Sequence, residues 1–208
     1  MTPTPHVDPE RIGALEAATW RAYYDRAWVR LLRLIVLVNR EQFGMSRPDA
    51  IAAAADSTRA AVAFAPADND LPAARRHLAR YYRRVRRAIG ARASVDELVD
   101  RELQYWVVHR ELAIRRKRDR QDNDIEPMVI AFAELHAALF NATPARMRTS
   151  AELRALACVA VDRITGGYSD DEAADWERVD RLLRQAYRSV QLVTGRAGTT
   201  APTTGGAR

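Results

Sequence analysis

The fold is decided by helical stretches such as SVDELVDRELQYWVVHRELAIRRKR, residues 94–118. Ser94 followed three residues later by Glu97 forms a capping box, the sequence signature of a helix N-terminus. Apolar residues, Val99 and Trp106 among them, then recur at the spacing that places side chains on one face of an α-helix. We therefore predict a helix over this stretch.

The same kinds of signal recur along the whole chain, and no convincing period-two alternation, the mark of a β-strand, interrupts them. Caps and glycine stops predict seven helices, over residues 8–43, 46–65, 70–90, 94–118, 124–141, 143–167 and 169–195. Short loops between helices of such lengths predict a single-domain, antiparallel all-α bundle over residues 1–195. The small, polar segment 196–208 predicts a disordered C-terminal tail.

The first predicted helix, residues 8–43, is unusually long. About 35 residues at 1.5 Å each would span roughly 50 Å, more than the width of a compact domain of this size, so a kink or a protruding end is expected. From Trp28 to Val38 the sequence is apolar nearly all round. That pattern favours a central, buried helix, and the alternative is burial against a second subunit in a homodimer.

Cysteine usage and the N-terminal sequence predict a cytoplasmic protein. The single cysteine, Cys158, excludes an intramolecular disulfide framework and a cysteine-based zinc cage. Residues 1–10 lack the basic and apolar regions of a secretory signal. The most apolar run, residues 31–38, is far shorter than the roughly 20 residues of a membrane span.

Five of the predicted helices place an ionisable residue on the apolar side, where burial is expected. Glu102 and His109 share one face with Trp106 between them, but a separation of about 10 Å along the helix prevents direct contact. Each therefore needs a partner on another helix. The comparable residues elsewhere are Glu16, His136, Arg163 and Asp180.

Three interpretations of these residues remain open. Buried polar groups are usually satisfied by hydrogen bonds, so a structural network of contacts is the commonest arrangement. The same groups could instead line a pocket for a small polar ligand, with Trp20, Tyr23 and Trp106 in its wall. A metal site is the third interpretation, because two histidines and several carboxylates could supply ligands.

The Glu-x6-His spacing of Glu102 and His109 resembles one element of the haem-oxygenase-like diiron oxidases, which are also all-α. Those proteins combine this element with a second cluster on a late helix, which holds two more histidines and an aspartate. Residues 137–208 contain no histidine, so the resemblance covers two residues only. It leaves a metal-dependent, diiron-type oxidase as a further alternative.

The leading functional hypothesis is a pocket that binds a small molecule. We expect Glu102 and His109 to orient the ligand, and His109 to transfer a proton if a reaction occurs, because the ordinary histidine pKa lies nearest neutrality. We expect Glu16 and His136 to close the pocket. The other expected ligand-binding residues are Trp20, Tyr23, Trp106, Arg163 and Asp180. The residues imply no particular cofactor.

A basic surface supports an alternative hypothesis, an interaction protein that binds nucleic acid or an acidic protein. Of 33 basic residues all but Lys117 are arginine, and seven arginines lie within residues 71–90 without an acid. Four of them share the solvent side of the predicted helix: Arg76, Arg80, Arg83 and Arg87. A second basic cluster holds Arg115, Arg116, Lys117 and Arg118. Such a face could contact phosphates, or be solvated or neutralised by the six acids within residues 170–180.

Overall fold

A computed structural model describes residues 8–197, with side-chain surroundings for residues 8–194. The described part of the chain is all-α, as predicted, and forms eight helices joined by short loops. The helices are α1 (Pro9–Tyr24), α2 (Trp28–Phe43), α3 (Arg47–Phe64), α4 (Leu71–Ile89), α5 (Val95–Arg118), α6 (Glu126–Phe140), α7 (Pro144–Thr165) and α8 (Glu172–Ala197). The antiparallel order stays a prediction. The expected tail from 198 onward lies outside the described residues.

Local capping signals place most of the helix ends. The side chains of Asp8, Ser46, Asp70 and Ser94 each accept a hydrogen bond from a backbone N–H in the first turn of their helix. Gly90 ends α4 in a left-handed conformation with φ 65°, which costs glycine little because it has no Cβ. These interactions are local, and they explain why the boundaries follow from the sequence.

The continuous helix predicted over residues 8–43 is wrong, and the interruption expected from its length is a break between α1 and α2. Arg26 takes a left-handed φ of 56°, and the N–H of Ala27 donates to the carbonyl of Ala22. No glycine or proline marks this position, so the apolar pattern runs across it without interruption. The break lets α1 pack mainly on α8 while α2 packs on α3.

The helices pack in a closed circuit. Each helix packs on the next along the chain, and α8 returns to pack on α1. The approach of α1 to α8 is close: a Cβ built on Gly13 would lie 2.6 Å from the backbone of Arg184. Glycine is therefore required at this crossing.

The prediction that Trp28–Val38 forms a central helix is also wrong. Only Leu31, Asn39 and Phe43 of α2 are buried, whereas Val29 is 67% exposed and Trp28 is 56% exposed. The helix lies at the outside of the fold because α1 and α3 cover only one of its sides. A homodimer through this helix stays a prediction. Among the described residues, no helix has the length and apolar character needed to cross a membrane.

Candidate ligand-binding cavity

A cavity of about 610 Å³ lies between α1, α3 and α5, with further wall from α2 and α7. Five of the expected site residues line it: Trp20 and Tyr23 on α1, and Glu102, Trp106 and His109 on α5. The seven-residue spacing of Glu102 and His109 turns both side chains to the same cavity, although they do not contact each other. The volume of the cavity falls within the range of small-molecule sites, about 300–1,000 Å³.

Aromatic side chains form much of the cavity wall. Three of the four tryptophans line it, Trp20, Trp28 and Trp106, together with Tyr23, Tyr24, Phe64 and Tyr105. Trp106 packs on Phe64 with ring centroids 5.1 Å apart, and Tyr23 makes edge contacts with Tyr24 and Trp28. Three apolar residues of the wall are exposed, Trp28 on α2, Val62 on α3 and Ile114 on α5, so the cavity is open to solvent along these helices.

His109 belongs to a buried ionic network that the sequence does not predict. Its Nε2 lies 3.1 Å from Asp162 Oδ1, and Arg116 Nη1 lies 2.7 Å from the other oxygen, Oδ2. Arg116 and Asp162 are buried, and a second Arg116 nitrogen donates to the carbonyl of Asp124. The His109 ring is nearly parallel to Tyr105, at 10°. The carboxylate thus holds the imidazole, which can donate a proton to or accept one from a bound group.

Glu102 is a half-buried acid of the cavity wall and has a different environment. Its Oε2 accepts from the Tyr82 hydroxyl at 2.8 Å, and the Trp106 indole lies nearby. Burial raises the pKa of Glu102, because removal from water disfavours the carboxylate. The Tyr82 hydroxyl, the Trp106 indole and Arg154 oppose this increase in the pKa.

Glu16 does not line the cavity, which corrects its expected role. Both of its carboxylate oxygens accept from Arg154, at 2.7 and 2.6 Å. The Arg154 guanidinium also lies over the Tyr187 ring, 5.0 Å from its centroid. This pair joins α1 to α7, so the inward face of α1 is divided between the cavity and a structural contact.

His136 is likewise outside the cavity. It is buried in α6, 3.5 Å from the Ser150 hydroxyl and against Phe132. Burial lowers the pKa of His136 well below its ordinary value, and the nearby Arg154 lowers it further. This histidine is a neutral core residue.

Arg163 and Asp180 also lie away from the cavity and form contacts near α8. Arg163 faces Asp175 at 3.5 Å and Asp170 at 3.7 Å, and Asp180 pairs with Arg184 at 2.7 Å. A helical projection shows which face is inward but not which helix covers it, so these residues could not be separated from true cavity residues.

Sequence patterns missed one acidic residue of this region and misplaced one basic residue. Asp162 shares its helix face with Cys158 and Thr165, at offsets of four and three residues, and this spacing could have identified it. Arg116 was assigned to a surface cluster, but it is 2% exposed and belongs to the core network. Thr58 also lines the wall, and its buried hydroxyl has no hydrogen-bond partner among the described residues.

The basic face of α4 is arranged as predicted. Its four arginines, Arg76, Arg80, Arg83 and Arg87, are exposed. None of them forms an ion pair within residues 8–194, whereas Arg75 pairs with Asp100 and Arg84 with Asp56. The acids at the start of α8 pair with arginines of α7 and α8 instead.

The second basic cluster does not extend this face as one surface. Arg115 pairs with Asp122 and Asp124 across the loop that follows α5, and Arg116 is buried. Lys117 and Arg118 remain exposed, with Lys117 in the cavity wall. Successive side chains of a helix point about 100° apart. A continuous run of charges in the sequence therefore does not form one patch on the surface.

Metal chemistry finds no support in the arrangement of side chains. Within the part of the chain that the structure describes, no group of three or more His, Cys, Asp or Glu side chains is placed to hold a metal ion. Glu102 and His109 contact Tyr82 and Asp162 instead, so these residues do not fit the diiron alternative. Cys158 is buried, and burial raises the pKa of its thiol.

No protein-family model matches the chain, and comparisons with curated proteins and with solved structures found no match. The residues of the cavity are therefore the basis for a functional assignment.

Proposed function

We propose that this protein binds a small organic molecule in the cavity between α1, α3 and α5. One observation carries the proposal: the cavity gathers five residues that sequence patterns marked as ligand-binding, Trp20, Tyr23, Glu102, Trp106 and His109, into one wall. Aromatic surface surrounding a few fixed polar groups is typical of small-molecule sites. The cytoplasmic location, supported by the single cysteine, is part of the proposal.

The polar groups assign a part of the ligand to each region of the wall. The aromatic rings would cover an apolar body, since burying such a body is the main favourable term. His109, oriented by Asp162, would exchange a hydrogen bond or a proton with a polar group of the ligand. His109 is therefore the catalytic candidate if the bound molecule reacts.

Titration with N-phenyl-1-naphthylamine, an uncharged dye that fluoresces in apolar surroundings, tests the proposal. We expect saturable binding by the wild type. Ala61→Trp adds a large side chain to the cavity wall and should weaken binding at least about tenfold, because it removes ligand volume. Ala88→Trp, on the exposed side of α4, is the matched control and should bind as the wild type does. Absence of saturable binding, or equal binding by both variants, would contradict the proposal.

The free arginine face of α4 supports a second candidate function, nucleic-acid binding. Arg76, Arg80, Arg83 and Arg87 follow one another at spacings of four, three and four residues. They therefore extend over roughly 16 Å of one helix face. Unpaired guanidinium groups in such a row are free to contact successive phosphates.

Fluorescence anisotropy of a labelled DNA duplex and a labelled single-stranded RNA tests this second candidate. Binding should weaken steeply as salt increases, since counterions are released from the phosphates. Arg80→Gln/Arg83→Gln should reduce the salt slope by about two. Arg30→Gln/Arg33→Gln removes the same charge from exposed positions of α2 and serves as the control. No binding at low salt, or equal loss in both variants, would exclude the candidate.

A further inference from the structure

The charged groups of the cavity wall differ in whether they have partners. Asp162 is neutralised by Arg116 and also contacts His109. Arg110 donates to the carbonyls of Pro66 and Ala65 at 3.0 and 3.2 Å, and its guanidinium lies 4.0 Å from the centroid of the Phe64 ring. Both charged groups thus already have partners inside the protein.

Glu102 is the exception in this wall. Its described hydrogen bond comes from an uncharged donor, the Tyr82 hydroxyl, and the neighbouring Trp106 indole is also uncharged. No arginine, lysine or histidine of residues 8–194 forms an ion pair with it. A carboxylate has about four acceptor sites, so Glu102 retains capacity for a further donor. Glu102 is half-buried. A carboxylate partly removed from water without a cation is costly, and a cation that reached it would offset that cost.

The cationic side chains of the wall lie too far along α5 to fill this role. Arg110 follows Glu102 by eight residues and Lys117 by fifteen, which places their backbones roughly 12 and 22 Å away. Lys117 is exposed, so solvent and salt screen its charge over that distance. Arg154 is nearer in the core, but both of its ion-pair contacts go to Glu16. The part of the cavity next to Glu102 therefore favours positive charge.

The rings near Glu102 suit the same kind of group. Trp106 is one helical turn from Glu102, and Tyr105 and Trp20 line the wall as well. Indole and phenol rings attract cations through their π faces, most strongly where water is excluded. A carboxylate surrounded by aromatic rings is the common arrangement for recognising an organic ammonium group.

We infer that the cavity ligand is an organic cation, an amine or quaternary ammonium compound whose charged group lies against Glu102 and whose apolar body contacts the aromatic wall. This inference rests on the proposed small-molecule function. It adds the chemical class of the ligand and places its charged end beside Glu102.

Displacement of N-phenyl-1-naphthylamine by three matched compounds tests the inference. Benzyltrimethylammonium carries a permanent positive charge, neopentylbenzene is its uncharged isostere, and phenylacetate carries a negative charge. We expect the cation to bind at least about tenfold more tightly than the isostere, the order of effect of a desolvated cation–π and ion-pair contact. Phenylacetate should bind most weakly.

Two variants assign the preference to a residue. Glu102→Gln keeps the size of the side chain and an oxygen for Tyr82, and it should reduce the preference for the cation at least about tenfold. Glu111→Gln changes an exposed acid of the same helix and should leave the preference within about twofold, as expected of a solvent-screened charge. Circular dichroism checks that both variants are folded.

The outcomes separate this inference from the proposed function. If the dye and all three compounds bind without charge preference, the cation inference is wrong and small-molecule binding stands. A preference for phenylacetate, or a cation preference unchanged in Glu102→Gln, also overturns the inference. If the dye itself does not bind saturably, the proposed function fails, and the cation inference fails with it.

Discussion

Arg116 on α5 and Asp162 on α7 form a buried ion pair, with 2.7 Å between Nη1 and Oδ2. The same carboxylate holds His109 through its other oxygen. Because α5 and α7 pack on each other over a small area, this pair is a principal connection between them beside the cavity. It links the stability of the fold to the orientation of the candidate proton-transfer group.

Removing the carboxylate of Asp162 should strongly destabilise the protein. Asp162→Ala leaves Arg116 buried without its counterion, and loss of one partner of such a pair costs about 3–5 kcal/mol of the free energy of unfolding. Urea denaturation measures the change. Glu126→Gln, which breaks the exposed pair with Arg148, should cost far less because solvent screens that pair, and it is the control. Similar losses in the two variants would contradict the buried ionic network.

The raised pKa of Glu102 predicts a pH dependence of stability. Because the folded protein holds this proton more tightly than the unfolded chain does, the contribution of Glu102 to stability falls as pH rises above the ordinary value of 4.5. Glu102→Gln removes that contribution, so it should gain stability relative to wild type as pH increases through this range. The charged and titratable groups that influence Glu102 are Tyr81, Tyr82, Tyr105, Glu16 and Arg154.

Urea denaturation of the two proteins from pH 4 to pH 8 supplies the measurement. A difference in unfolding free energy that is constant across this range would show that Glu102 is as well solvated in the folded state as in the unfolded chain. Glu111→Gln changes an exposed acid of the same helix and is the control.

The lowered pKa of His136 predicts the opposite dependence. The folded state keeps this histidine neutral, whereas the unfolded chain binds a proton below the ordinary pKa of 6.5. The unfolding free energy of the wild type should therefore fall by up to about 1.4 kcal/mol, through this residue, for each pH unit below that value. His136→Gln lacks the titrating group, so thermal denaturation should show a smaller loss between pH 7 and pH 5. Equal losses would contradict a buried, neutral His136.

Gly13 should not accept any larger residue. Alanine normally favours a helix over glycine by about 1 kcal/mol, but its Cβ would lie 2.6 Å from backbone atoms of Arg184. Gly13→Ala should therefore lower the unfolding free energy, by about 1–3 kcal/mol as for other overpacked sites. Thermal denaturation measures the change. Ala14→Gly on the same helix is the control, and it should lower the unfolding free energy only by the difference in helix propensity between alanine and glycine. Stabilisation by Gly13→Ala would show that α1 and α8 do not approach this closely.

Helix boundaries could be predicted because their causes lie within a few residues. The Ser94 hydroxyl accepts from the N–H of Glu97, and the Asp70 carboxylate from that of Ala73, both three residues away. The break at Arg26 was not predictable in this way. No local residue requires it, and it exists because α1 and α2 pack on different neighbours.

The candidate site was predictable in part for the same reason. The sequence alone determined the helical class, and it determined that Glu102, Trp106 and His109 share one face of α5, since helical periodicity is a local property. Only the tertiary structure decided which faces meet: it placed the α5 residues around a cavity and directed Glu16 to Arg154. It also buried Arg116, which reads as a surface charge, against Asp162. Partners that are distant in sequence meet through packing of whole helices, and no local pattern encodes that choice.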